Sequence, residues 1–175
     1  YAAAFAREHG AAAIDERAAE VAATRCLAPL ERGEPAGGAA EAPYAIQHEL
    51  QRVMQDQVGI VRTEAEMREA LAAIGRLRER AGRVLVPGNR QYNPGWHTAL
   101  DLHNLLTVSE AVTRSALERR ESRGAHFRED CPAKSEEFAR FNHVIAKGAD
   151  GAMAVRREPL VPLSDEHQRI IAEMG

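Results

Sequence analysis

Residues 119–132 read Arg-Arg-Glu-Ser-Arg-Gly-Ala-His-Phe-Arg-Glu-Asp-Cys-Pro. This run brings a hydroxyl, an imidazole, a thiol and charges of both signs together. On a continuous helix, Ser122 and His126 are four residues apart, the reach of a nucleophile and its base. Gly124 between them argues against a continuous helix, and no acid is forced beside His126. Cys131 follows Glu129 and Asp130, whose charge disfavours a thiolate. Arg123 and Arg128 can each hold a carboxylate bidentately, and Glu121 and Asp130 are the local candidates. Arg119 and Arg120 would face the negative end of a helix that stops here. Arg119, Glu121, Ser122, Arg123, Gly124, His126, Arg128 and Asp130 are therefore assigned to a structural or docking motif. On chemistry alone, a solvated helix end with a surface loop and a loop-locking brace stand level.

No catalytic, cofactor-binding or metal-ligating residue is assigned. The histidines at 9, 48, 97, 103, 126, 143 and 167 form no i, i+4 pair, and no Cys-x-x-Cys occurs. The glycine pair Gly37-Gly38 follows no strand, so it is not a phosphate-cradling loop.

The elements that must position the motif read as helices. The chain has 175 residues, enough for a domain with a core. Aromatic residues make up 5%, and alanine is abundant, which favours helix over sheet. Lys+Arg (23) nearly balances Asp+Glu (26), so nucleic acid is not an expected partner. No apolar run approaches the roughly 20 residues of a membrane span, so direct membrane insertion is not expected. Cys26 and Cys131, far apart, suit a reducing cytoplasm.

The expected fold is mainly α: a three-helix-bundle-like core, an extra N-terminal helix and a small irregular or hairpin C-terminal tail. Residues 1–31 are expected as an N-terminal helical segment, 32–42 as a flexible loop, 43–140 as the bundle and 141–175 as the tail. A helix from near Asp15 carries Ala18, Val21, Ala22, Cys26 and Leu27 at helical spacing. Pro43 opens the next helix, with Ile46, Leu50, Val53 and Met54 on one stripe, and Gly59 breaks it. Thr63 and Glu66 have capping-box spacing, and the helix after them buries Met67, Ala70, Leu71, Ile74 and Leu77. Asn93 and Pro94 begin the longest helix, to Arg120. It is apolar on more than one face, as a central helix would be. Strands around 144–145 and 153–155 flank a glycine-rich turn, and a short helix closes the chain after Ser164. Residues 1–8 read as helix with no N-cap before them, which is expected of a piece of something larger.

Three stretches, in order, resemble the C-terminal region of the succinate dehydrogenase/fumarate reductase flavoprotein subunit family. The first is Met54-x-x-x-x-Gly59-x-x-Arg62, at the end of Gln51–Arg62. The second is Tyr92-Asn93 with Ala99–Leu106, at the start of the long helix. The third is Glu121–His126 with Arg128-x-Asp130 and Pro132. The resemblance covers about residues 43–143 and, more weakly, 1–30. It implies a parent enzyme that binds FAD and moves a hydride between flavin and a dicarboxylate. The FAD-binding and capping domains would lie upstream in the same polypeptide and be this domain's partners, with an iron–sulfur subunit beyond them. Residues 1–8 would be the tail of the last FAD-domain helix. No cofactor is expected in this chain, which would brace the FAD domain, in the cytoplasm at the inner face of the membrane. L-aspartate oxidase, with Leu-His where Ala125-His126 stands here, and the more distant adenylylsulfate reductase share the signature. A free-standing helical interaction module is the alternative from another class. Cys131 stands where the dehydrogenases usually carry an aromatic residue, which leaves the substrate open.

Overall fold

The computed structural model describes residues 1–10, 13–32 and 41–174. Six helices run through them: α1 (Ala2–His9), α2 (Glu16–Glu31), α3 (Pro43–Gln57), α4 (Glu64–Ala81), α5 (Pro94–Glu118) and α6 (Asp165–Met174). Two short strands, β1 (Val61–Arg62) and β2 (Phe127–Arg128), pair in parallel. Strands β3 (Phe141–Lys147) and β4 (Met153–Pro159) form an antiparallel hairpin. The mainly α architecture agrees with the sequence reading. The central part of the expected flexible loop, 33–40, lies outside the described residues.

Helices α3, α4 and α5 make the core because each carries an apolar stripe at helical spacing. Ile46 and Leu50 of α3, Ile74 and Leu77 of α4, and Leu102 and Leu106 of α5 meet in one buried cluster. Full burial of one such side chain is worth about 1.5–3 kcal/mol. The starts are chemically marked. In α4 the Thr63 hydroxyl accepts from Glu66 N at 3.3 Å, while Thr63 N donates to the Glu66 carboxylate at 2.9 Å. Asn93 caps α5 by accepting from Trp96 N at 3.2 Å, and Pro94 follows where a missing N–H costs nothing. After α3, a Cβ on Gly59 would meet the Gln55 carbonyl oxygen at 2.8 Å, so the chain leaves the helix through a position only glycine fits.

Two expectations, for α5 and α4, are corrected. Helix α2 continues through Pro29 to Glu31, and Ala18, Val21, Ala22 and Cys26 on its apolar stripe are exposed. Only the end of α2 docks. Pro29 is buried, Val86 N donates to the Pro29 carbonyl at 2.8 Å, and the Trp96 indole donates to the Cys26 carbonyl at 2.7 Å. On α5 the second apolar face is uncovered, with Leu105, Val108 and Val112 exposed; the covered face is Ala99, Leu102, Leu106, Thr113 and Ala116. On α4, Leu71 is half-buried.

Candidate functional site

Helix α5 stops at Glu118, short of the expected Arg120, because Arg119 turns to extended backbone. The Arg119 guanidinium then donates to the Glu121 carboxylate at 2.6 Å and to the carbonyls of Phe138 (3.2 Å) and Phe141 (3.3 Å). The end of the helix and the base of the β3–β4 hairpin are thereby held by one side chain.

Glu121 is fully buried. It accepts from Arg119, from Arg123 at 3.0 and 3.1 Å, and from Ser135 N at 2.8 Å. Burial alone would raise its carboxyl. The Arg123 fork, the Ser135 N–H and Arg119 outweigh that and hold it at about 2. Arg123 itself is 38% exposed. The carboxylate, not the arginine, is the buried member of this pair.

Arg123 and His126 exchange backbone hydrogen bonds at 2.8 and 3.1 Å across Gly124-Ala125. Gly124 has φ +61 in this two-residue turn, a conformation that an L side chain rarely adopts. The turn separates Ser122 from His126. The Ser122 hydroxyl accepts from Arg128 N at 2.8 Å and lies 2.9 Å from the Cys131 carbonyl, to which it donates. The His126 ring bonds the Arg119 carbonyl through Nε2 at 3.0 Å and accepts from Arg62 at Nδ1, 3.2 Å away. Both side chains are committed elsewhere, and they form no nucleophile–base pair. Burial, and after it the charges of Arg62, Arg128 and Arg119, hold His126 below its ordinary range despite the Arg119 carbonyl.

Arg128 has no exposed side-chain surface. Its Nε and terminal nitrogen donate to Asp130 at 2.7 and 2.6 Å, and the other terminal nitrogen donates to the carbonyls of Leu117 (3.2 Å) and Ala116 (3.4 Å). These are carbonyls of the last turn of α5, which have no partner within the helix. Asp130 also accepts from Glu64 N at 3.0 Å, at the start of α4. Its carboxyl is held at about 2, chiefly by Arg128. An acidic group thus meets the positive end of α4 while a guanidinium meets the negative end of α5. Phe127 N and Glu129 N bond the carbonyls of Ile60 and Arg62, both at 3.1 Å, which aligns the two helix ends.

The structure brings all eight sequence-assigned residues into one junction, in two separate ion-pair sets around Glu121 and Asp130. Sequence reasoning missed Ser135, whose backbone alone takes part, and the role of Arg62, which closes the Met54, Gly59, Arg62 pattern. Arg62 stands opposite Arg128 in the β1–β2 register, and burial, followed by the Arg128 charge, lowers its pKa.

These residues do not build a flavin phosphate cradle. The strand-to-helix step from β1 into α4 carries no glycine loop, and its helix N-terminus is filled by the Glu66 and Asp130 carboxylates. Among the described residues, no three His, Cys, Asp or Glu side chains gather as metal ligands. No helix of the described residues is long and apolar enough to cross a membrane.

A family model described as fumarate reductase flavoprotein C-term matches residues 47–165. The chain is 37% identical over 105 residues to the succinate dehydrogenase flavoprotein subunit of Coxiella burnetii, covering 59% of this chain and 18% of that protein. It is 32% identical over 152 residues to the fumarate reductase flavoprotein subunit of Haemophilus influenzae, covering 86% of this chain and 25% of that one. The structure of Mycobacterium smegmatis Sdh1 in complex with UQ1 superposes with a TM-score of 0.80 at 36% identity, covering 90% of this chain and 26% of that one. The chain thus spans about a quarter or less of the length of these relatives.

Proposed function

The chain belongs to the fumarate reductase flavoprotein C-terminal family, and from that premise we propose that it is the helical bracing domain of an FAD-dependent dicarboxylate oxidoreductase. One observation carries the bracing role. The long helix α5 is apolar on two sides, and its Leu105, Val108 and Val112 side is exposed among the described residues. A stripe of this kind is an unused packing face. In this reading it packs on the FAD and capping domains of the same polypeptide, and the exposed side chains of α2 offer a second face.

The junction at 119–130 supports the role. Buried ion pairs hold the end of α5 and the start of α4, the bundle's two longest helices, in one geometry, as a domain that must dock in register requires. FAD, the dicarboxylate and the hydride transfer belong to residues outside this chain. An iron–sulfur subunit is the further partner, and through such partners the enzyme sits in the cytoplasm at the inner face of the membrane. L-aspartate oxidase is the weaker reading of the parent.

The coding sequence upstream of Tyr1 tests the assignment. An in-frame glycine-rich FAD fingerprint is expected there; a start codon shortly before Tyr1, itself preceded by an in-frame stop codon, would overturn it. Purified alone, the 175-residue chain should neither retain flavin nor reduce fumarate with an artificial donor.

A further inference from the structure

The His126 ring is held between two partners of opposite hydrogen-bonding character. A terminal nitrogen of Arg62, on β1, lies 3.2 Å from its Nδ1, and the backbone carbonyl of Arg119, just past the end of α5, lies 3.0 Å from its Nε2. A guanidinium can only donate, and a carbonyl can only accept. The ring must therefore be neutral, with its proton on Nε2 and a lone pair on Nδ1 facing Arg62. A second proton, on Nδ1, would replace that lone pair with an N–H aimed at the N–H groups of Arg62. The Arg62–His126 bond and the charged form of the ring exclude each other.

The charges around the ring point the same way. Arg62 faces it from β1, Arg128 from β2 and Arg119 from the end of α5, and His143 of β3 lines the same groove. Arg128 is matched by Asp130 and Arg119 by Glu121, both at 2.6 Å. Among the described residues Arg62 has no carboxylate partner; its side chain bonds His126, and its Nε is without a partner. Burial holds His126 below its ordinary range; the Arg119 carbonyl opposes this, and the three arginine charges add to it. The guanidinium that a proton on His126 displaces is thus the one with no other side-chain tie. A groove of about 590 Å³, lined by both residues and by β3, gives it room to leave.

We propose that His126 is a proton-operated latch: the neutral ring pins Arg62 of β1 to the end of α5, and the protonated ring releases it. Release is local. The bonds from Phe127 N and Glu129 N to the carbonyls of Ile60 and Arg62, and the Arg128–Asp130 pair, do not pass through the ring. Acid therefore frees the Arg62 side chain into the groove while α4 and α5 stay joined. The latch is a property of this chain and does not rest on the function proposed above.

The experiment is an NMR titration of the 175-residue chain between pH 8 and pH 5. It follows the two ring nitrogens of His126 and the exchange of the Arg62 Nε–H with water. At pH 8 the His126 proton should sit on Nε2. As the ring takes up its second proton, Arg62 Nε–H exchange should accelerate with the same midpoint. His126→Gln keeps an acceptor for Arg62 and a donor for the Arg119 carbonyl but does not titrate, so it should abolish the step. His103 and His143 remain in that variant, which separates their titration from the latch. Arg62→Met removes the donor and the charge that compete with the proton, and should raise the His126 midpoint by about one pH unit. A proton on Nδ1 at pH 8, Arg62 exchange unchanged through the His126 midpoint, or a step that persists in His126→Gln would overturn the latch. If His126→Gln does not fold, Arg62→Met decides: a raised His126 midpoint supports the latch, and an unchanged or lowered one overturns it.

Discussion

The Arg128 guanidinium and the Asp130 carboxylate form a bidentate pair at 2.7 and 2.6 Å, and each also holds a different helix end. Arg128 takes the last carbonyls of α5, and Asp130 takes the first N–H of α4. Two residues apart in sequence, they join the bundle's two longest helices without lying in either.

Arg128→Ala should therefore be among the most damaging substitutions in the chain. It leaves a partly buried carboxylate and two helix carbonyls without their donor, at a cost of about 3–5 kcal/mol. Arg128→Lys should recover little, because one ammonium cannot reproduce the fork and reach the carbonyls as well. Urea unfolding followed by circular dichroism measures both; a midpoint equal to the parent's would refute the linkage.

Around the second pair, the carboxylate should matter more than either arginine. Glu121→Gln keeps the shape but strips the charge from a fully buried group facing Arg119 and Arg123, at a cost of about 3 kcal/mol. Arg123→Ala should cost less, because Arg119 and Ser135 N remain on Glu121 and Arg123 is 38% exposed. The order of melting temperatures should be parent, then Arg123→Ala, then Glu121→Gln. The reverse order of the two variants would show that burial does not set the cost.

Stability should fall with acid in two stages. His103, His126 and His143 all have folded pKa values below their ordinary 6.5, with burial the first cause in each. The unfolded chain takes up these protons more readily, so stability is complete above about 6.5 and falls as pH drops below it. Glu121 and Asp130 are depressed from 4.5 and 3.8 to about 2. Their contribution is present above those ordinary values and is lost as pH falls through them towards 2. Melting temperatures from pH 8 to pH 2 should show both declines, and Glu121→Gln should blunt only the lower one. A flat profile between pH 6.5 and 5 would contradict the histidine assignment.

Gly124→Ala tests the turn between Arg123 and His126. A Cβ there meets nothing within 4 Å, so the cost is conformational. At φ +61 it should be about 1–2 kcal/mol, without loss of the helical circular dichroism signal. Unchanged stability would mean that the turn relaxes freely.

The exposed face of α5 should behave oppositely to the junction. Val108→Asp changes a residue that is 62% exposed, and should alter the stability of this chain by no more than about 0.5 kcal/mol. If Val108 packs on another domain, the same change in the longer polypeptide should lower its melting temperature. Destabilisation of the short chain itself would place Val108 in a core the described residues do not show.

Much of this was legible in the residues alone. Apolar spacing at Ile46–Leu50, Ile74–Leu77 and Leu102–Leu106 determined the bundle, because a 3.6-residue period can bury a stripe only as helix. Thr63, Glu66, Asn93 and Pro94 marked helix starts through local hydrogen bonds that need no distant partner. In the run at 119–132 the charges and Gly124 marked a helix end, but left a solvated loop and a brace level. Tertiary structure decided which arginine meets which carboxylate, and that Glu121 is the buried member. Burial depends on what Ser135 and the hairpin base bring from later in the chain. It also decided that the stripes on α2 and the far side of α5 stay exposed. Periodicity shows that a face is apolar, but only packing shows whether anything within the same chain covers it.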